Sequence, residues 1–171
     1  MLFGSHAVNI YARPERMTND VDLMATDAAG LAESLRSSMS ARFHIAVRVR
    51  QPKEHPGAFR IYQVMKPRNR HLVDIRLVMQ LPPHCRIGGI PVIDPAVLAA
   101  MKAISMTARS KPEKRLSDRL DLHRLLRALP ELGADVNTVT ARLRADPANA
   151  NALANWYEIL RHPLEDDEEA E

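Results

Sequence analysis

The chain of 171 residues has a single cysteine, Cys85. A disulfide framework within it is therefore excluded. No apolar run approaches the roughly 18 residues that a membrane-spanning helix needs, so no membrane partner is expected. The opening MLFGSHAVNIYARPER lacks a basic region, an apolar block and a small-residue cleavage site in that order. A secretory leader is not expected there. A reduced, soluble, cytoplasmic protein is the expectation. No internal repeat is present. Apolar residues make up 46% and charged residues 26%, which is ordinary for a globular domain that buries its own core.

Charge is unevenly distributed. The formal net charge is only +3, yet the seven residues from Glu165 to Glu171 carry six acids and no base. Residues 1–164 then hold 24 basic against 15 acidic residues, a net of +9. Nineteen of the 24 are arginine, whose planar fork suits phosphate. The segment 42–76 holds nine basic residues against Glu54 and Asp74. That balance fits a polyanionic partner, nucleotide or RNA. It also fits a solvated basic face.

The patterning predicts an α+β fold: a small mixed or antiparallel sheet with flanking helices, then a helical C-terminal region. A very short strand at MLF leads to a helix over Ser5–Tyr11, closed by Pro14. Val21–Met24 reads as an apolar strand. Asp27 caps a helix to about Arg42, with Leu31, Leu35 and Met39 on one face. His44–Arg50, Phe59–Met65 and His71–Met79 read as an antiparallel meander, the first alternating with period two. Ile87–Ile93 is a short extended piece. Asp94-Pro95 opens a helix with Val97, Leu98, Met101, Ile104 and Ser105 inward. Another helix starts at Pro112 or Glu113 and places Leu116, Leu120, Leu126 and Leu129 inward. Val136–Arg144 and Pro147–Leu160 complete the helices. The implied organisation is a core over 1–93, a helical region over 94–164 and a disordered acidic tail over 165–171.

The chemistry concentrates at Gly4-Ser5 and at Asp20-Val21-Asp22-Leu23. Residues i and i+2 of a strand share a face, so Asp20 and Asp22 set two carboxylates side by side. One would be driven neutral unless a cation sat between them. Oxygen ligands of this kind suit Mg²⁺, which keeps water and substrate phosphates as further ligands. Asp74 lies in the apolar strand HLVDIRLVM, where a carboxylate is costly unless paired or metal-bound. If that strand neighbours the Val21 strand, Asp74 becomes the third member of one acidic cluster. Gly4-Ser5 at a strand-to-helix junction allows close backbone approach, and helix-start N–H groups attract phosphate.

These residues resemble the nucleotidyltransferase superfamily, of polymerase-beta-like fold. The Gly4-Ser5 element, the Asp20-x-Asp22 pair and the later strand Asp74 carry the resemblance. The run Arg16-Met17-Thr18-Asn19-Asp20-Val21-Asp22-Leu23 looks most like the AbiEii-type toxin branch. So do the strand-to-helix stretch Pro91–Lys102 and the Arg109…Asp118-x-x-Asp121-Leu122 helix. The likeness covers residues 1 to about 128. It implies that Asp20, Asp22 and Asp74 hold two Mg²⁺ ions and are catalytic. Gly4, Ser5, Arg16, Thr18 and Lys102 would bind the nucleoside triphosphate. The implied reaction moves a nucleoside monophosphate to an acceptor hydroxyl, with tRNA or another RNA, a protein side chain or a small molecule as acceptor. An antitoxin protein would be the partner. The alternative is an inactive module of the same fold that binds nucleotide, RNA or protein.

Structural readings stand beside these. Asp74 is open to a salt bridge with Arg76 or a neighbouring arginine. Ser5 is open to a capping role, and Lys102 to an exposed helix position. Arg109, Asp118 and Asp121 read as an ion-pair network between helices. His84-Cys85 lacks zinc-site spacing, His6 reads as a surface residue, and Trp156-Tyr157 as a core anchor.

Overall fold

The computed structural model describes residues 1–135 and 138–162. The expected disordered tail lies outside the described residues, as do the first two positions of the helix expected from Val136. The chain forms two compact units. The first comprises Met1–Asn9 and Glu15–Asp94, and the second Ile10–Pro14 with the described residues from Pro95 on.

The first unit carries a mixed sheet of seven strands: β1 (Leu2–Phe3), β2 (Val21–Ala25), β3 (Val47–Arg50), β4 (Ala58–Gln63), β5 (Arg70–Leu77), β6 (His84–Ile87) and β7 (Ile90–Ile93). Their order is β3-β4-β5-β2-β1-β7-β6. The β3-β4-β5 meander is antiparallel as expected. β5 then lies parallel to β2, and β1 runs antiparallel to β2 and parallel to β7. Helix α1 (Gly4–Tyr11) follows β1 directly, and α2 (Ala28–Phe43) joins β2 to β3. Asp27 caps α2, its side chain accepting from the Gly30 N–H at 2.9 Å.

Period two divides the sheet into unlike faces. Ala28 and Ala32 of α2 pack with Ile61, Val73 and Ile75, and Val21, Leu23, Val47, Val49, Phe59 and Leu72 surround them. This is the apolar core under α2. The alternate residues Asp22, Arg48, Arg50, Arg60, Tyr62, Asp74 and Arg76 therefore point to the other face.

Two expectations about strands change. His44 is not in a strand: it ends α2 in the left-handed conformation, φ 53°. The stretch expected as one extended piece is a hairpin, β6-β7, turning at Gly88 and Gly89, both with positive φ. A two-residue turn with both φ values positive matches the twist of its strands, and glycine takes it without strain.

In the second unit, α3 (Pro95–Ala108), α4 (Pro112–Ala128), α5 (Glu131–Ala134), α6 (Val139–Arg144) and α7 (Ala150–Arg161) pack around Leu98, Leu122, Leu125, Leu143, Trp156 and Ile159. A 3₁₀ turn over Pro147–Asn149 precedes α7. Trp156 is buried, as expected of a core anchor. The inner faces of α3 and α4 differ from the hydrophobic pattern. Ala96, Ala99, Ala100 and Ala103 line α3 inward, and Ile104 is exposed. On α4 the buried residues include Asp118, Asp121, Leu122 and Leu125, while Leu116 and Leu120 are exposed. A buried lysine sets this rotation. Lys102 of α3 meets Asp118 at 2.9 Å and Asp121 at 2.7 Å, so α4 turns its acidic stripe inward and its Leu116 stripe outward. Within this unit no helix is long and apolar enough to cross a membrane, nor is any other among the described residues.

Candidate active site

The sheet register builds the acidic cluster. Asp22 and Asp74 are direct partners on the parallel strands β2 and β5, so their side chains leave the same face as neighbours. Asp20 lies two residues before Asp22, just ahead of β2. The Oγ1 of Thr18 donates to the Asp20 carbonyl at 3.2 Å, which fixes the approach to that strand. The predicted adjacency of the two strands is thus present.

A histidine not singled out from the sequence joins them. The Nδ1 of His71 lies 3.3 Å from Asp20 Oδ2, and its Nε2 lies 3.4 Å from Asp74 Oδ1. Asp20, His71 and Asp74 each offer a donor atom, all within 4.8 Å of one another. Strict alternation would put His71 and Asp74, three apart, on opposite faces. A β-bulge prevents this: Ile61 pairs Val73 but Tyr62 pairs His71, leaving Leu72 as the extra residue. The bulge reverses the phase and turns His71 onto the carboxylate face. The Tyr62 ring backs it, with centroids 4.9 Å apart. Asp74 also accepts from the Arg60 Nε at 3.2 Å, one of the pairings open to it from the sequence.

Gly4 and Ser5 border Asp22. Phe3 is the register partner of Asp22, and Gly4 follows with φ 69°. A Cβ at Gly4 would lie 2.0 Å from Asp22 Oδ2, so only glycine leaves the carboxylate its place. Ser5 Oγ accepts from Arg16 Nη2 at 2.9 Å. Asn9 clamps the Arg16 backbone from α1. Its Oδ1 accepts from the Arg16 N–H at 3.0 Å, and its Nδ2 donates to the Arg16 carbonyl at 2.7 Å. Gly4, Ser5 and Arg16 are therefore brought together at the N-terminus of α1. Asn9 has no motif signal of its own; only the loop closure reveals its part.

Lys102, expected to face the triphosphate, is buried in the second unit. Arg109 adds a third basic contact there, its Nε donating to Asp118 Oδ2 at 2.8 Å. Burial pushes the Asp118 carboxyl up, but the charges and hydrogen bonds of Lys102 and Arg109 outweigh it and hold the group below its ordinary range. The expected ion-pair network of Arg109, Asp118 and Asp121 exists, with Lys102 at its centre.

The donor set fits a divalent cation. The donor atoms that converge belong to Asp20, His71 and Asp74; Asp22 is the register partner of Asp74 but is not one of that group. The His71 Nε2 is buried with no hydrogen-bond partner, because its 3.4 Å approach to Asp74 lacks hydrogen-bond geometry. No protein-family model matches this chain, and no curated protein does. Among solved structures, the Megavirus polyadenylate synthase matches with a TM-score of 0.57 and 16% identity, over 75% of this chain and 28% of that one. The fold is a nucleotidyltransferase fold. The chain spans little more than a quarter of that synthase's length. A nucleotidyltransferase-like protein from Paracoccidioides brasiliensis also matches, at 16% identity and a TM-score of 0.46, over 90% of this chain and 83% of that one. In this nucleotidyltransferase fold, the β2-β5 pair presents the carboxylates and the β1-α1 junction presents Ser5.

Proposed function

We propose that the chain transfers a nucleoside monophosphate from a nucleoside triphosphate to an acceptor hydroxyl, with Mg²⁺ held by Asp20, Asp22 and Asp74. The observation that carries this reading is the register pairing of Asp22 with Asp74 beside the Gly4-Ser5-Arg16 corner. When bound, divalent ions would supply positive charge to the reacting phosphate and the leaving oxygen. Ser5, Arg16 and the first N–H groups of α1 bind the terminal phosphates. Asp74 takes the proton of the acceptor hydroxyl, its carboxylate oriented by Arg60. The hydroxyl oxygen forms a bond to the α-phosphorus, the bond from that phosphorus to the bridging oxygen breaks, and pyrophosphate carries away the electron pair. The likeness of Arg16–Leu23 to AbiEii-type toxins supports a toxin role with an antitoxin protein as partner.

Arg60 supports a second reading. Its guanidinium already neutralises Asp74, as it would in a binding module that has no catalysis. Incubation with each labelled nucleoside triphosphate, Mg²⁺ and total RNA separates the two. Label transfer is expected, with a loss of several orders of magnitude on Asp20→Asn plus Asp22→Asn. Nucleotide binding without any transfer to RNA, protein or small-molecule acceptors would favour the module.

A further inference from the structure

The open face of the sheet carries one continuous cross-strand row. From the edge strand inward, Arg50 pairs Arg60, Arg60 pairs Asp74, Asp74 pairs Asp22 and Asp22 pairs Phe3. A second row runs Arg48, Tyr62, His71. Like charges directly opposite each other destabilise a sheet. The first row contains two such pairs of opposite sign, Arg50 with Arg60 and Asp22 with Asp74. A cation relieves the acidic pair. Arg60 is met by Asp74, so in the basic pair it is Arg50, facing a like charge, that calls for an anion by the same physics.

Among the described residues the acids of these rows are Asp74 and Asp22, and Asp74 already serves Arg60. Arg48 and Arg50 are exposed on β3, an edge strand. Tyr62 offers a ring between them and His71, with the Arg50 guanidinium 5.8 Å from its centroid. Arg76 adds a further exposed base beside Asp74 on β5. Spaced arginines around an aromatic ring match a polynucleotide backbone with an unpaired base stacked on the ring. A free phosphate would use the charges and leave the ring idle.

We propose that the β3-β4 face is the docking track for the acceptor, and that the acceptor is single-stranded RNA. Arg48, Arg50 and Arg60 hold its phosphates, Tyr62 stacks one base, and the strand's end reaches the carboxylates of β2 and β5. This rests on the nucleotidyl-transfer reading for its purpose but is measured without catalysis. The test is fluorescence anisotropy of a short labelled single-stranded RNA with the full chain in EDTA at low salt. Binding is expected, stronger than to a duplex of equal length. Arg48→Glu plus Arg50→Glu should weaken it about tenfold or more, and flatten the dependence of log affinity on log salt by about 1.4 for two lost phosphate contacts. Tyr62→Leu should weaken it several-fold. Arg36→Glu plus Arg42→Glu makes the same charge change on α2, across the sheet, and should leave affinity nearly unchanged. Circular dichroism confirms that each variant is folded. Equal losses from the β3 and α2 pairs would overturn the track in favour of diffuse charge attraction. Equal affinity for duplex, or no binding, would overturn it as well. Label transfer without RNA binding sinks the track alone; RNA binding without transfer to any acceptor sinks the catalytic reading alone.

Discussion

Gly4 leaves open the volume that the Asp22 carboxylate fills. A side chain there would come within 2.8 Å of the Asp22 Cβ as well as striking its carboxylate, so the clash is not confined to a flexible tip. The chain thus ties the shape of the β1-α1 corner to the position of a candidate metal ligand. The glycine of the Gly-Ser element acts here by what it lacks.

Gly4→Ala is expected to destabilise the protein by about 1–2 kcal/mol through the left-handed backbone alone, and by more through the clash. Urea unfolding measures the total. In an Asp22→Gly background the clash disappears and only the backbone part remains, so the two substitutions should be strongly non-additive. Equal losses in both backgrounds would show that Asp22 is not held against Gly4.

Much of this corner was readable as pattern. Asp20 and Asp22 follow from period two, and Asp74 from a carboxylate within an apolar strand. Their adjacency needs β2 beside β5, a pairing between strands far apart in sequence that local pattern only suggests. His71 was hidden for a different reason. Alternation puts it on the wrong face, and only the bulge at Leu72 corrects the phase. The β6-β7 hairpin, in contrast, had its signal in Gly88-Gly89. Apolar spacing on α3 and leucine spacing on α4 point to faces that the structure does not bury in full. A buried lysine between two aspartates fixed the rotation, and hydrophobic periodicity carries no information about such a pair.

Lys102→Met tests that rotation. Removing one partner of a buried ion pair leaves uncompensated charge, so a loss of about 3–5 kcal/mol is expected at neutral pH. The sign with pH follows from Asp118. Its carboxyl is held below the ordinary range in the folded protein, so its contribution is fully present above the unfolded value of about 4. That contribution is lost as pH falls through the lowered folded value. Without Lys102, protonating the buried Asp118 relieves uncompensated charge. Denaturant unfolding across the acidic range should therefore show the gap between wild type and Lys102→Met narrowing as pH drops. A constant gap would mean that the lost stability does not come from the charge pairing of Lys102 with Asp118.

Asn9 offers a test of the phosphate corner that spares every charged group. Its amide holds the Arg16 backbone through two hydrogen bonds, while the Arg16 guanidinium reaches Ser5. Each bond contributes about 1 kcal/mol to stability, so Asn9→Ala should lower the melting temperature by only a few degrees. Its effect on ligand should be larger in proportion. With the loop freed, Arg16 must be ordered when the triphosphate binds, and affinity should fall about tenfold, or 1.4 kcal/mol. Asn9→Asp keeps the acceptor for the Arg16 N–H but turns an oxygen toward the Arg16 carbonyl, so it should resemble Asn9→Ala rather than wild type. Isothermal titration with a nucleoside triphosphate and Mg²⁺ reads both variants. A lowered melting temperature with unchanged affinity would make Asn9 a loop fastener alone and would remove Arg16 from the phosphate site.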